Sequence, residues 1–150
     1  MTEKKLIWIA VLGLVIIVGL VWANLYGLNP NLDQSSAEAV ATSFCQNFSA
    51  AKDAGFMNRP DRAAYDLLTP EAKAALDAKE GSLISRLSEF AGGALPPSEI
   101  EIYQIKEQGD KAEASFFWQY ADGTPTVKKT VFLTRVGDIW QVYSVVNAQD

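Results

Sequence analysis

The sequence predicts an α+β protein: an N-terminal transmembrane helix, then three to four helices packed on a four-stranded antiparallel sheet. Three observations carry this. Leu6 to Ala23, LIWIAVLGLVIIVGLVWA, holds no charge. Apolar residues then recur with a helical period between Ala37 and Phe90. From Glu99 the period drops to two, and turn signals separate the runs.

The apolar run comes first in the chain. Twelve of its eighteen residues are Leu, Ile or Val. As a helix it spans about 27 Å at ~1.5 Å per residue, close to the ~30 Å hydrocarbon core of a bilayer. Trp8 lies at one end and Trp22 and Tyr26 at the other, where amphipathic rings favour the headgroup level. Lys4 and Lys5 precede the run, and no Lys or Arg follows it before Lys52. The positive-inside rule then keeps residues 1–5 in the cytoplasm, spans the bilayer with residues 6–26, and places the rest outside. A cleaved signal peptide is the rival reading, because Val21-Trp22-Ala23 offers small residues near the right spacing. The run exceeds the usual h-region of roughly 7–15 residues, which favours an uncleaved anchor.

Composition narrows what the exported part does. Of 13 Lys and Arg, two precede the span, and of 18 Asp and Glu, one does, which leaves 11 against 17 beyond it. A domain that acidic lacks the cations that neutralise phosphates, so no nucleic-acid partner is expected. One cysteine, Cys45, excludes an intrachain disulfide. The absence of histidine removes the commonest general base and zinc ligand. No metal or cofactor is implied.

Residues 27–35 read as a linker, broken by Asn29-Pro30-Asn31. Asn24 to Gln34 reaches at most about 35–40 Å when extended, so the domain, residues 36–150, stays near the bilayer. Ser35 with Glu38 has the spacing of a capping box. It opens a helix whose stripe is Ala37, Val40, Ala41, Phe44, Cys45 and Phe48. Cys45 on that stripe reads as a buried small hydrophobe rather than a reactive thiol. Asn47-Phe48-Ser49 matches a glycosylation sequon, but Phe48 belongs to the stripe, so the match reads as chance. Asp61 can cap a second helix through Leu68. Thr69-Pro70-Glu71 starts a third, which runs to about Lys79. Ser82 opens a fourth, with Leu83, Ile84, Leu87 and Phe90 on one side, and Gly92-Gly93 closes it.

In the first strand Ile100, Ile102 and Gln104 alternate with Glu101, Tyr103 and Ile105. Gln108-Gly109-Asp110 turns the chain. Ala112, Ala114, Phe116, Trp118 and Tyr120 form one face of the second strand. Asp122-Gly123 is a hairpin signal, Val127–Val136 a third strand, and Gly137-Asp138 a second tight turn. In the fourth strand Trp140, Val142, Ser144 and Val146 share one side. Consecutive hairpins make an antiparallel meander, and helices first with strands last make an α+β domain.

A helix, then AAYDLLTPEAKAAL, then a meander ending in GDIWQVYSV resembles the nuclear transport factor 2-like superfamily. The likeness is to its branch of small membrane-tethered bacterial domains. Leu67, Leu68, Pro70, Glu71, Gly137, Trp140 and Val142 carry the resemblance. It implies a curved sheet wrapped round helices as a cone, often with a pocket. Tyr65, Phe116, Trp118, Tyr120 and Trp140 would line that pocket around a small apolar ligand. Some members of the superfamily are ketosteroid isomerase-like enzymes. In this chain only Tyr65 and Asp66 with Tyr120 and Trp118 offer the acid and hydroxyl such chemistry needs, and Asp66 falls between core positions. The expected domain is therefore not an enzyme.

An interaction role has more support in the residues. If Phe116, Trp118 and Trp140 face the helices, Tyr103, Phe117, Phe132, Ile139, Tyr143 and Val145 point outward. A contiguous apolar group of that kind is an interface signal. It predicts pairing with a second copy, as a homodimer, or with another envelope protein. Lys128-Lys129 reads as a solvated strand end rather than an anion site.

Overall fold

The computed structural model describes residues 33–53, 59–93 and 95–148. The expected transmembrane helix, residues 6–26, lies outside the described residues, as does most of the linker. Among the described residues no helix is long and apolar enough to cross a membrane.

The described residues form four α-helices, α1 (Ala37–Ala50), α2 (Pro60–Asp66), α3 (Pro70–Asp77) and α4 (Leu83–Phe90), and then four strands. These are β1 (Glu99–Gln108), β2 (Lys111–Gln119), β3 (Val127–Val136) and β4 (Ile139–Asn147), paired antiparallel in the order β1-β2-β3-β4. Local chemistry sets the helix starts. Ser36 Oγ accepts from the Ala39 amide at 3.1 Å and caps α1, one residue later than the expected Ser35. Ser35 instead turns back to the Asp33 carboxylate, so no capping box forms. Thr69 Oγ1 accepts from Ala72 N at 3.2 Å, with Pro70 in the first turn. Ser82 Oγ caps α4 in the same way. At α2 the expected cap by Asp61 is absent. Pro60 begins the helix, and Asp61 pairs with Arg59 at 3.2 Å.

α1 lies across the inner face of the sheet and touches all four strands. Phe48 packs on Trp118 with ring centroids 5.6 Å apart, and Phe44 lies against Phe48 and Phe90. Phe116, Trp118, Val131, Leu133, Trp140 and Val142 complete the core from the sheet side. Cys45 sits in this core, and burial pushes its thiol well above the ordinary range. A thiolate is disfavoured there, as a buried small hydrophobe requires.

β4 is covered along its outer edge. Thr69 N donates to Val142 O and Val142 N to Leu67 O, both at 2.9 Å, and Trp140 N donates to Gln34 O. The α2–α3 connector and the start of the domain thus take up ladder groups that an edge strand leaves open.

Two bulges depart from the plain alternation of the sequence. In β1 the register passes from Ile102 to Gln104, so Tyr103 is the extra residue. In β4 it passes from Val142 to Ser144, so Tyr143 is extra. A bulge shifts every later side chain to the opposite face. Ile105 therefore packs towards the core and Gln104 turns out. Val145 is 4% exposed, and Val146, expected inside, is 40% exposed.

Candidate functional site

The outer face of the sheet carries two aromatic pairs, each built on a bulge. Tyr103 stacks on Phe117 with centroids 4.4 Å apart, and Tyr143 meets Phe132 at 6.0 Å. The tyrosines are 43% and 39% exposed, and both phenylalanines are half-buried. A bulge splays its side chain along the strand, which lays each tyrosine over the neighbouring strand's phenylalanine. Between the pairs the hydroxyls of Ser115 and Thr130 lie 3.5 Å apart. Lys111 Nζ sits 4.7 Å over the Tyr143 ring. Glu113, Thr130, Phe132, Val146, Asn147 and Ala148 line an open hollow of about 380 Å³ on this face. Ile139 is exposed beside Val136 at the β3–β4 hairpin. Val145 is the one member of the expected outward group that the fold turns inside. The Tyr143 bulge is the cause.

The residues expected to line a central pocket are not gathered around one. Phe116, Trp118 and Trp140 are core residues packed against other side chains. Tyr65 lies among the helices. Its hydroxyl donates to Asp77 Oδ2 at 2.6 Å, and its ring is flanked by Arg62 at 4.7 Å and Lys73 at 5.6 Å. Arg86 completes this cluster, with Nη1 donating to Leu76 O and to Asp77 Oδ1. The hydrogen bond to Asp77 raises the Tyr65 phenol and lowers the Asp77 carboxyl. Asp66 pairs with Arg62 at 3.3 Å, and burial raises its carboxyl above the ordinary value. Tyr120 lies elsewhere and donates to Leu95 O at 3.2 Å. The arrangement thus separates Tyr65 and Asp66 from Tyr120 and Trp118. Among the described residues no cluster of His, Cys, Asp and Glu is placed to hold a metal ion.

Tyr120 instead lines an open cleft of about 310 Å³ with Gly92, Gly93, Leu95, Asp122, Thr124, Val127, Lys129 and Asn147. Lys129 is the unexpected member. Far from being a solvated strand end, it is 1% exposed. Its Nζ donates to Ala91 O at 2.7 Å and lies 5.4 Å from the Trp118 ring centre. Burial lowers its ammonium below the ordinary value. The sequence does hold the signal. Lys129 falls two residues after Val127 and two before Val131, on the inward side of β3. Read as half of a charged dipeptide, it is assigned to solvent. Read by alternation, it belongs to the core.

No family model and no curated sequence matches the chain. Among solved structures, a SEC-C motif containing protein from Rhodopseudomonas palustris matches with a TM-score of 0.54 at 13% identity, covering 85% of this chain and 92% of that one. The type VI effector-immunity complex Tae3-Tai3 from Ralstonia pickettii matches in two structures. Their TM-scores are 0.49 and 0.39, at 16% and 20% identity, and they cover 77% and 78% of this chain and 98% of each matched chain. At these identities the likeness is one of fold. None of these is a nuclear transport factor 2-like cone, and no family model supports that membership, so the resemblance read from the sequence is corrected. The residues that carried it do general structural work. Leu67 and Leu68 fill the core, Pro70 and Glu71 start a helix, and Gly137 turns a hairpin ahead of Trp140 and Val142. Any domain that lays helices on a meander has use for such residues.

Proposed function

We propose that this chain is a non-catalytic interaction module of the cell envelope, anchored by residues 6–26, with residues 36–150 outside the cytoplasm. In this reading the outer face of its sheet docks a protein partner, of which a second copy of the chain is the first candidate. One observation carries the docking face: the Tyr103–Phe117 and Tyr143–Phe132 pairs stand together on a side of the sheet that, among the described residues, no helix covers. Tyrosine brings large area with little rotamer freedom to lose, and aromatic rings recur among the residues that dominate interface energies. The hollow beside Phe132 and Val146 offers a socket for a partner's side chain. The apolar run, its two leading lysines and its flanking aromatics support the anchor and the orientation. The alternative of an apolar ligand inside the domain gains no such support, because Phe116, Trp118 and Trp140 are occupied in packing.

Phe117→Asp tests the reading. It places a charge at the centre of the face and leaves the core untouched. Light scattering and pull-down of the full chain should lose the associated species while the melting curve stays cooperative. Association unchanged by Phe117→Asp would refute the docking face.

A further inference from the structure

Lys129 lies buried at the base of an open cleft. A buried ammonium needs compensation, and among the described residues this one has a single carbonyl acceptor and a ring face. No carboxylate pairs with it among the described residues. The ammonium has three N–H donors, and Ala91 O takes one. The carbonyl at the end of α4 accounts for the direction of the side chain, because a helix C-terminus attracts a cation. It leaves the positive charge unneutralised.

Gly92 brings bare backbone up against that charge, between it and the cleft. A Cβ at Gly92 would lie 3.2 Å from Lys129 Nζ, and the φ of +76° also disfavours a side chain there. The exposed backbone of Gly92 and Gly93 thus forms a thin cover over the ammonium. Around the opening, Leu95 (72% exposed), Tyr120 and Val127 supply apolar wall, and Asn147 supplies an amide.

We propose that this cleft binds the carboxylate of a small ligand with an apolar body. Lys129 supplies the charge, and Leu95, Tyr120 and Val127 supply the wall. Two features select a carboxylate over a phosphate. One lysine is a single positive charge with no second cation in the lining. Asp122 stands in the same lining, ionised at neutral pH because hydrogen bonds from Thr124 hold its carboxyl below the ordinary range. A dianion would meet that carboxylate with half its charge unanswered, whereas a monoanion balances Lys129.

The test uses the full chain titrated with N-acetyl-leucine, its neutral analogue N-acetyl-leucinamide, and inorganic phosphate. Binding is read by amide shifts at Gly92, Gly93 and Asn147 and by calorimetry. N-acetyl-leucine should shift these amides. The leucinamide should bind roughly tenfold more weakly or worse, as loss of a charge-assisted bond implies. Lys129→Met, which keeps the buried stem, should lose the preference for the acid. Leu95→Ser, at an exposed position, should weaken binding with no change in melting temperature. This keeps the test decisive where Lys129→Met fails to fold. Bound N-acetyl-leucine should also raise the titration point of Lys129, which a purely structural lysine would not show. No shift with N-acetyl-leucine, equal affinity for acid and amide, preference for phosphate, or binding unaffected by Leu95→Ser would each overturn the proposal.

Discussion

Tyr103 and Tyr143 hold equivalent positions at opposite edges of the sheet. Each is the extra residue of a bulge, and each lies on a phenylalanine of the adjacent strand, Phe117 or Phe132. The same two irregularities that present the rings also reverse the facing of the later residues in β1 and β4. The outer face and the inner core are therefore fixed by one device.

That device predicts a reversal of what plain alternation gives. Val145→Asp places an unpaired carboxylate in the core and should cost at least about 3 kcal/mol. Val146→Asp faces water and should stay within about 0.5 kcal/mol of the parent. Urea unfolding of the two variants measures the difference. A mild Val145→Asp together with a severe Val146→Asp would place the bulge elsewhere.

Thr69 joins two jobs at the α2–α3 junction. Its hydroxyl caps α3, and its amide bonds β4. Thr69→Ala removes only the first and should cost about 1 kcal/mol, with up to ~2 where the cap is buried. Thr69→Ser should recover most of that loss in the same unfolding measurement.

The Tyr65–Asp77 bond gives stability a dependence on acid. Asp77 has its carboxyl lowered in the folded state, first by the phenol of Tyr65 and further by Arg86. Such a group stabilises the fold above its unfolded value, near about 3.9, and that contribution is lost as pH falls through the folded value. Tyr65→Phe should therefore be less stable than the parent at pH 6, and the gap should narrow below about pH 4. A gap independent of pH would mean that the phenol does not act through the carboxylate.

Lys129 gives a dependence of the same sign, but at alkaline pH. Its folded ammonium is lowered by burial, so between that value and the unfolded one near about 10.4 the unfolded chain binds more protons. Stability attributable to this residue rises with pH across that window. The parent should gain on Lys129→Met as pH is raised towards about 10. Comparing the two proteins cancels the contributions of Tyr65, Tyr120 and Cys45, whose raised values act in the other direction.

Periodicity makes much of this fold legible. The stripe from Ala37 to Phe48, the Thr69-Pro70-Glu71 start and the glycine turns place four helices and four strands close to where they stand. Their physics is local, so a single chain reveals it. The bulges are not local. They arise from pairing between strands, and no residue at Tyr103 or Tyr143 marks them in advance, so plain alternation puts Val145 and Ile105 on the wrong face. Lys129 misleads differently, because its charge outweighs its place in the alternation. The outward facing of Phe117 and Phe132 is legible because β2 and β3, which carry them, have no extra residue.

The claim that the outer face docks a protein is tested most directly by photocross-linking. A benzophenone side chain at position 117 of the full chain, irradiated in intact envelopes, should give a discrete protein adduct. Tyr143→Asp should abolish it, and the same probe at Asp138 should not produce it. Irradiation that yields no adduct at position 117, or the same adducts from both positions, would contradict the account.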